Sequence, residues 1–369
     1  MSDIDMRFGE VPVTGSIDAN FTDVQPKITA NLAAGQLVLD RFLPEAAEAD
    51  RAAGAGPAAR GSARWSRERL DLSVMRSADL DLTLKLAALQ RRDIRIDGAD
   101  LHASLVAGLL EVDRFTGSAF GGRADISGSL NTADDAPRID IRIAGKGMEA
   151  GGAFGTLFGF DRLQGPVDVR LTLRTSGENE LALVSGLAGD ATVSGTVNAR
   201  LTREERTRAG VAGAVGTLLG RKVKEAGFAS DALVTLLQAF ADAPSALSGD
   251  ATIENGRART ESLTLVGTGA QAVTVGVADL ANWTIDSATT LRRDVDAGGD
   301  PYMVITLKGP LDDPDIRSSG TWLRGPAPAP ETPAPEGPSV QPEQAAPEAP
   351  KKVDPEDLFF DLLRKRLEQ

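Results

Sequence analysis

Residues 105–130 read LVAGLLEVDRFTGSAFGGRADISGSL, and this stretch decides the fold. It holds two runs of alternating apolar and polar residues, joined through Phe120-Gly121-Gly122. The first run puts Leu110, Val112 and Phe115 to one side. The second puts Ala124, Ile126 and Gly128 on one face, with Arg123, Asp125 and Ser127 on the other. A period of two is that of a strand with one face buried. Glycines inside such a pattern mark a turn, bulge or sharp bend, because only Gly takes positive φ without steric cost. The Gly121-Gly122 step reads as a bend that curves the sheet. No residue in the stretch is chemically reactive.

The same alternation recurs on both sides of it. Upstream lie Val11 to Val13, Gly15 to Phe21, Lys27 to Leu32 and Leu70 to Val74, then the strict Leu80-Asp-Leu82-Thr-Leu84-Lys-Leu86. Downstream lie Ile139 to Ile143, Val167-Asp-Val169-Arg-Leu171-Thr-Leu173, Ala251 to Leu265, Ala272 to Val277, Trp283 to Ile285 and Tyr302 to Leu307. The folded part closes with Gly309-Pro-Leu-Asp-Asp-Pro314. Residues 44–63, rich in Ala, Gly and charge, read as a loop or flexible insertion. One helical region is expected at about 203–243, where Ser230 caps an apolar face of Leu233, Leu236, Leu237 and Phe240.

Two internal repeats stand out, which favours a repetitive β architecture. Gly15-Ser-Ile17 followed by Pro26-Lys-Ile28 resembles Gly128-Ser-Leu130 followed by Pro137-Arg-Ile139. Without a gap, Ser185-Gly-Leu-Ala-Gly-Asp-Ala-Thr-Val193 resembles Ser245-Ala-Leu-Ser-Gly-Asp-Ala-Thr-Ile253.

Composition agrees. Aromatics are 4% of the 369 residues against 39 Gly and 20 Pro, a balance that suits many short strands and turns. There is no Cys, hence no disulfide, thiolate metal site or Cys nucleophile. A net charge of −13 argues against nucleic acid as a partner, since phosphates need Lys and Arg. Residues 325–352, PAPAPETPAPEGPSVQPEQAAPEAPKK and its flanks, read as a disordered polyproline II spacer. It reaches roughly 90 Å at ~3.1 Å per residue. Residues 353–369 read as an amphipathic helix capped by Asp354, with basic residues in its last turns. Leu358, Phe359, Leu362 and Leu363 on one face are candidate contacts to an envelope protein or a membrane surface.

Catalytic and cofactor signals are weak throughout. The glycine clusters Gly145-Lys-Gly147, Gly151-Gly152 and Gly210 to Gly220 lack a phosphate-loop pattern and read as turns. His102 is the sole His, so neither a His-rich metal site nor a Ser-His-acid arrangement can be built around it. It reads as a surface or groove-wall side chain. The expectation is a non-enzyme without cofactor or metal.

A sheet with one apolar face needs a cover: a second sheet, a membrane, or lipid chains lying in a groove. Alternation alone does not choose. It nominates Leu80, Leu82, Leu84, Leu86, Val169, Leu171 and Leu173 as candidate wall positions.

The chain resembles the AsmA family of bacterial envelope proteins, relatives of the TamB type, over residues 4–318. The carriers are Leu109 to Leu130 with its Phe120-Gly-Gly-Arg123 step, Gly186 to Asp190, Ala246 to Asp250 and the Ile253-Glu-Asn-Gly256 turn. Val277-Ala-Asp-Leu280 leading to Trp283, and Ile305 to Pro314, complete the set. The resemblance implies an elongated, curved, mostly antiparallel sheet over residues 1–324, with an apolar groove. It also implies phospholipid as the partner, carried from inner to outer membrane in support of outer-membrane assembly, and a periplasmic location. The family's N-terminal membrane anchor has no counterpart here, so the expectation is a sheet shortened at its start. From another class, the alternative is a structural β-scaffold whose terminal helix recruits a protein.

Overall fold

A computed structural model describes residues 2–321 except 10, 23–24, 42–63, 159, 202–235 and 297–298. Residues 1–325 form one compact unit. Its strands are β1 (Ser2–Phe8), β2 (Val11–Asn20), β3 (Lys27–Val38), β4 (Asp79–Arg91), β5 (Ile94–Val106) and β6 (Leu109–Ala119). Then come β7 (Gly122–Asn131), β8 (Arg138–Glu149), β9 (Leu163–Gln164), β10 (Pro166–Ser176), β11 (Ala188–Ala199) and β12 (Ser245–Glu254). The last are β13 (Arg257–Val266), β14 (Ala270–Asp279), β15 (Thr284–Arg293), β16 (Met303–Pro310) and β17 (Asp315–Ser319). Together they make one long, open, curved sheet. Each strand pairs with the next in sequence, except that β8 pairs with β10, and β9 extends β10 along β11 past Gly165. Every pairing is antiparallel but one: β3 and β4 run parallel, with Leu32 opposite Leu84.

Register explains how the opening stretch builds a single face. Leu110 stands opposite Leu130 and Val112 opposite Gly128, whereas Phe115 meets Ile126. An extra residue in β6 between Val112 and Phe115 shifts the parity, so odd-numbered Phe115 rejoins its even-numbered neighbours. Further extra residues lie in β5, β8 and β13. Bulges of this kind increase local twist and help curve a wide sheet.

The Gly121-Gly122 step is a correction. Phe120 and Gly121 have φ of 50° and 75°, and Ala119 pairs with Gly122 across them. This is the two-residue hairpin turn joining β6 to β7, where positive φ at both centres matches the twist of the strands. Bulges, rather than a hairpin turn, are the features that bend a sheet. Ala107-Gly108 and Asn255-Gly256 make the same turn.

Both repeats have structural counterparts. Gly15 on β2 faces Leu32, and Gly128 on β7 faces Ile141, each one strand before a Pro-Lys/Arg-Ile start. The second repeat pairs with itself: Gly189 lies opposite Ile253, Ala191 opposite Ala251 and Val193 opposite Gly249. The two copies therefore meet antiparallel about a local two-fold between the alanines.

Several local readings change. Leu70 to Val74 is not a strand. Asp71 accepts the Ser73 N–H at 3.0 Å and starts a 3-10 turn over Ser73–Arg76. Hydrogen bonds from the Ser73 side chain and backbone also lower the Asp71 carboxyl pKa from its ordinary 3.8. A local side-chain-to-backbone bond thus overrides a short alternation. Gly145, Lys146 and Gly147 lie inside β8 rather than in a turn, and Gly151-Gly152 opens a helix, α1 (Ala150–Phe158). A second short helix, α2 (Glu180–Ser185), is capped by Asn179. Strand β17 extends the sheet past Pro314. Of the expected helical insertion, residues 236–238 are helical. The rest of that insertion, the 44–63 loop, the spacer and the terminal helix with Leu358, Phe359, Leu362 and Leu363 lie outside the described residues.

Two clusters form the core, and both sit at the same edge of the sheet. Ala119, Ala124, Met148, Ala150, Val167, Val197 and Leu247 are buried together, with Phe120 and Phe154 packed against them. Leu237, Phe240, Ala270, Leu291 and Met303 form the other. Phe240 is 2% exposed and Met303 0%. Helix α1 and the segment around Leu237 thus cover the apolar face along the edge that carries the Phe120-Gly121 turn.

The opposite edge carries the turns at 107–108, 255–256 and 280–283, and a strap of residues 64–78 runs along it. Trp65 donates its indole N–H to the Leu280 carbonyl at 2.9 Å and meets Trp283 edge-on, ring centres 6.0 Å apart. Arg64 stacks on Trp283 at 4.0 Å and pairs with Asp312 at 3.2 Å. Further along, the Ser66 N–H donates to Glu180 at 2.7 Å and the Leu70 N–H to the Glu178 carbonyl at 2.9 Å. The strap ends where the Asp79 N–H donates to the Pro26 carbonyl.

Candidate functional site: an apolar groove on one face of the sheet

Residues directly opposite each other on paired strands point to the same face. Following the registers, one row runs Leu32, Leu84, Leu101, Phe115, Ile126, Ile143 and Leu171 across β3 to β10. A second row runs Ala30, Leu82, Ala103, Val112, Gly128, Ile141 and Leu173. A third passes from Leu80 through Leu105, Leu110 and Leu130 to Ile139. Seven strands thus present an apolar floor, with Asp, Arg, Ser and Thr on the reverse face.

Over β3 to β8 this floor encloses an open cleft of about 500 Å³. Its lining includes Leu37, Leu39, Leu84, Leu86, Leu89, Leu101, Leu110, Val112, Phe115, Ile126, Leu130, Ile139 and Ile141. The volume falls within the roughly 300–1,000 Å³ of small-molecule sites, which are mostly apolar with a few oriented polar groups. Here the polar groups are scarce: Ser127, Ser129 and Asp140 are the polar members of the lining. Such a cleft can bind apolar chains by non-directional burial.

All seven wall positions nominated by alternation lie on this face. Leu84 and Leu86 line the cleft. Leu80 and Leu82 continue the same strand towards the strap. Leu171 and Leu173 lie beside Ile143 and Ile141 on β10, and Val169 packs against the cluster under α1. Alternation overlooked Leu37, Leu39 and Leu89 at the ends of β3 and β4. It did contain the signal for Ile139 and Ile141, which repeat the Leu-x-Leu pattern.

His102 lies on the reverse face, opposite Thr83, so it is not a wall residue. Its Nδ1 is 2.9 Å from Asp113, the residue added by the β6 bulge, and its Nε2 is 3.8 Å from Asp81. Among the described residues no group of three or more His, Asp or Glu is placed to hold a metal ion. The Gly147 N–H donates to Asp168 at 2.8 Å, so this glycine step holds a carboxylate of the protein itself.

An open, curved sheet with a continuous apolar floor defines the class: a groove protein, rather than a closed barrel or a two-sheet sandwich. The AsmA family pattern matches residues 3–195, just over half of the chain. The chain belongs to the AsmA family, a bacterial envelope family. The match covers β1 to β10 and most of β11, which includes the cleft. No curated protein and no solved structure matches the chain. Among the described residues, no helix is long and apolar enough to cross a membrane.

Proposed function

We propose that this protein shields phospholipid acyl chains in its apolar groove, without catalysis, as part of lipid transport between inner and outer membranes and of outer-membrane assembly. The observation that carries the reading is the set of aligned Leu, Ile, Val and Phe rows from β3 to β10, open to solvent over the cleft. An exposed, contiguous apolar surface of this extent needs an occupant. Each buried methylene of an acyl chain contributes about 0.8 kcal/mol, so a chain laid along the floor is held without specific hydrogen bonds. Movement along the rows then needs no covalent step. Membership of an envelope family supports a periplasmic setting, with a membrane anchor in the whole protein. Phospholipid is the expected partner. We further propose that residues 353–369, through Leu358, Phe359, Leu362 and Leu363, contact an envelope protein or a membrane surface.

Native mass spectrometry of the full chain, purified from bacterial cells without added detergent, tests the reading. Retained masses equal to phospholipids are expected. A preparation free of lipid would count against it.

A further inference from the structure

Charge is nearly absent from the floor of the cleft, and where it occurs it is positive. Asp97 of β5 stands opposite Ser118, and Ser118 opposite Arg123, on the reverse face. Its neighbour Ile96 therefore points to the floor, as does Leu89, its partner on β4, which lines the cleft. Arg91 lies two residues past Leu89 and opposite Ile94, so it falls on the same side. Gln90 and Arg95 fall on the reverse, where Gln90 accepts from Gln36 at 2.9 Å and Arg95 pairs with Asp97 at 2.7 Å. Among the described residues of β3 to β7, no other charged side chain shares the floor face. On β8, Asp140 belongs to a reverse-face row with Ser129 and Arg174. It meets the floor through its backbone, for a Cβ on floor-facing Gly128 would touch its carbonyl oxygen.

Arg91 is also unneutralised. It is exposed and makes no ion pair, whereas Arg95, Arg114 and Arg138 on the reverse face each hold a carboxylate. It ends β4 at the edge where Leu37, Leu39 and Leu89 end the cleft. Beside it, Asp40 of the 3-10 turn Leu39–Arg41 accepts the Arg92 N–H at 2.6 Å, which ties that turn to the β4–β5 hairpin. The mouth thus gathers Arg41, Arg91 and Arg92 against Asp40 and Asp93, a positive balance in a chain of net charge −13. An arginine stem lies along apolar surface while its head reaches water. The paired N–H groups of a guanidinium match the oxygens of a phosphate.

We propose that Arg91 seats the phosphodiester of a phospholipid whose acyl chains lie on the β3–β8 floor. The inference rests on the lipid-groove reading above and adds an orientation to it. Headgroups sit at the β4–β5 hairpin edge, and chain ends point towards the strap.

The test compares full-length wild type, Arg91→Gln and Arg95→Gln, with circular dichroism to check that each keeps its strand signal. Each is incubated with vesicles holding phosphatidylglycerol and diacylglycerol of identical acyl chains in equal amounts, and retained lipids are counted by native mass spectrometry. Wild type and Arg95→Gln should favour phosphatidylglycerol by about fivefold, the scale of one exposed ion pair. Arg91→Gln should retain the two lipids equally. A bias that is absent from wild type, survives in Arg91→Gln or is lost equally in Arg95→Gln would overturn the seat while leaving the groove standing. Retention of neither lipid by wild type would overturn the lipid-groove reading itself. Excess inorganic phosphate separates a lipid headgroup from a free anion: the bias should persist, and its loss would overturn a seat built for lipid. Should Arg91→Gln disturb the hairpin, Arg91→Met, which keeps an apolar stem, reads the same position.

Discussion

Gly128 shows what a single residue does here. It lies in the second groove row, and a Cβ built on it would meet the Asp140 carbonyl oxygen of β8 at 2.3 Å. Gly128→Val must therefore push two paired strands apart, and overpacking of this kind costs about 1–3 kcal/mol. Urea unfolding should show that loss as a lower midpoint. Phe240, 2% exposed, is the opposite case. Phe240→Ala leaves a cavity worth about 3–5 kcal/mol, and its denaturation midpoint should fall further than that of Gly128→Val. Asp279 makes a pH-dependent contribution. Burial opposes its charge, but the Asn282 backbone and side-chain amides and Arg257 donate to it and hold its pKa below the ordinary 3.8. A carboxylate with a depressed folded pKa stabilises fully above 3.8, and that stability is lost as pH falls through the depressed value. Asp279→Asn should accordingly flatten the acid limb of a stability-versus-pH curve below 3.8. A limb of unchanged slope would contradict the assignment.

Among the elements, strands were legible and their junctions were not. Leu80 to Leu86 alternates without a break because both its neighbours are strands over the whole length, so one face stays apolar throughout. Strand β15 was read only at its start. Its floor-facing Ser287 and Thr289 are small and hydroxylated and carry little hydrophobic contrast. The bulge in β6 was invisible for another reason: an extra residue such as Asp113 is an ordinary polar residue, and only pairing shows that it shifts parity. The strap differs because Leu70-Asp-Leu-Ser-Val74 obeys the period over too few residues to outweigh the local Asp71–Ser73 hydrogen bond. It is held at its far end by Trp65, so Trp65→Ala should free residues 66–72 and the 280–283 turn. Hydrogen exchange there should accelerate at least severalfold while amides of β5 to β8 keep their protection. Equal acceleration in the sheet would show that the strap supports the fold as a whole.

At the scale of the molecule, one open sheet gathers apolar side chains from strands more than a hundred residues apart onto a single floor. Much of that floor was legible as a period of two. The long-range arrangement was not, because the parallel β3–β4 pairing, the bulges and the covering segments have no local signature. Opposite faces of one strand offer the most direct test. Leu84 lines the cleft, and Lys85, exposed, points away from it. Full-length wild type, Leu84→Lys and Lys85→Ser are purified in parallel, and phospholipid retained per protein molecule is measured by native mass spectrometry. The account predicts retention by wild type and Lys85→Ser, and a loss of at least fivefold in a folded Leu84→Lys. Equal retention by all three would contradict it.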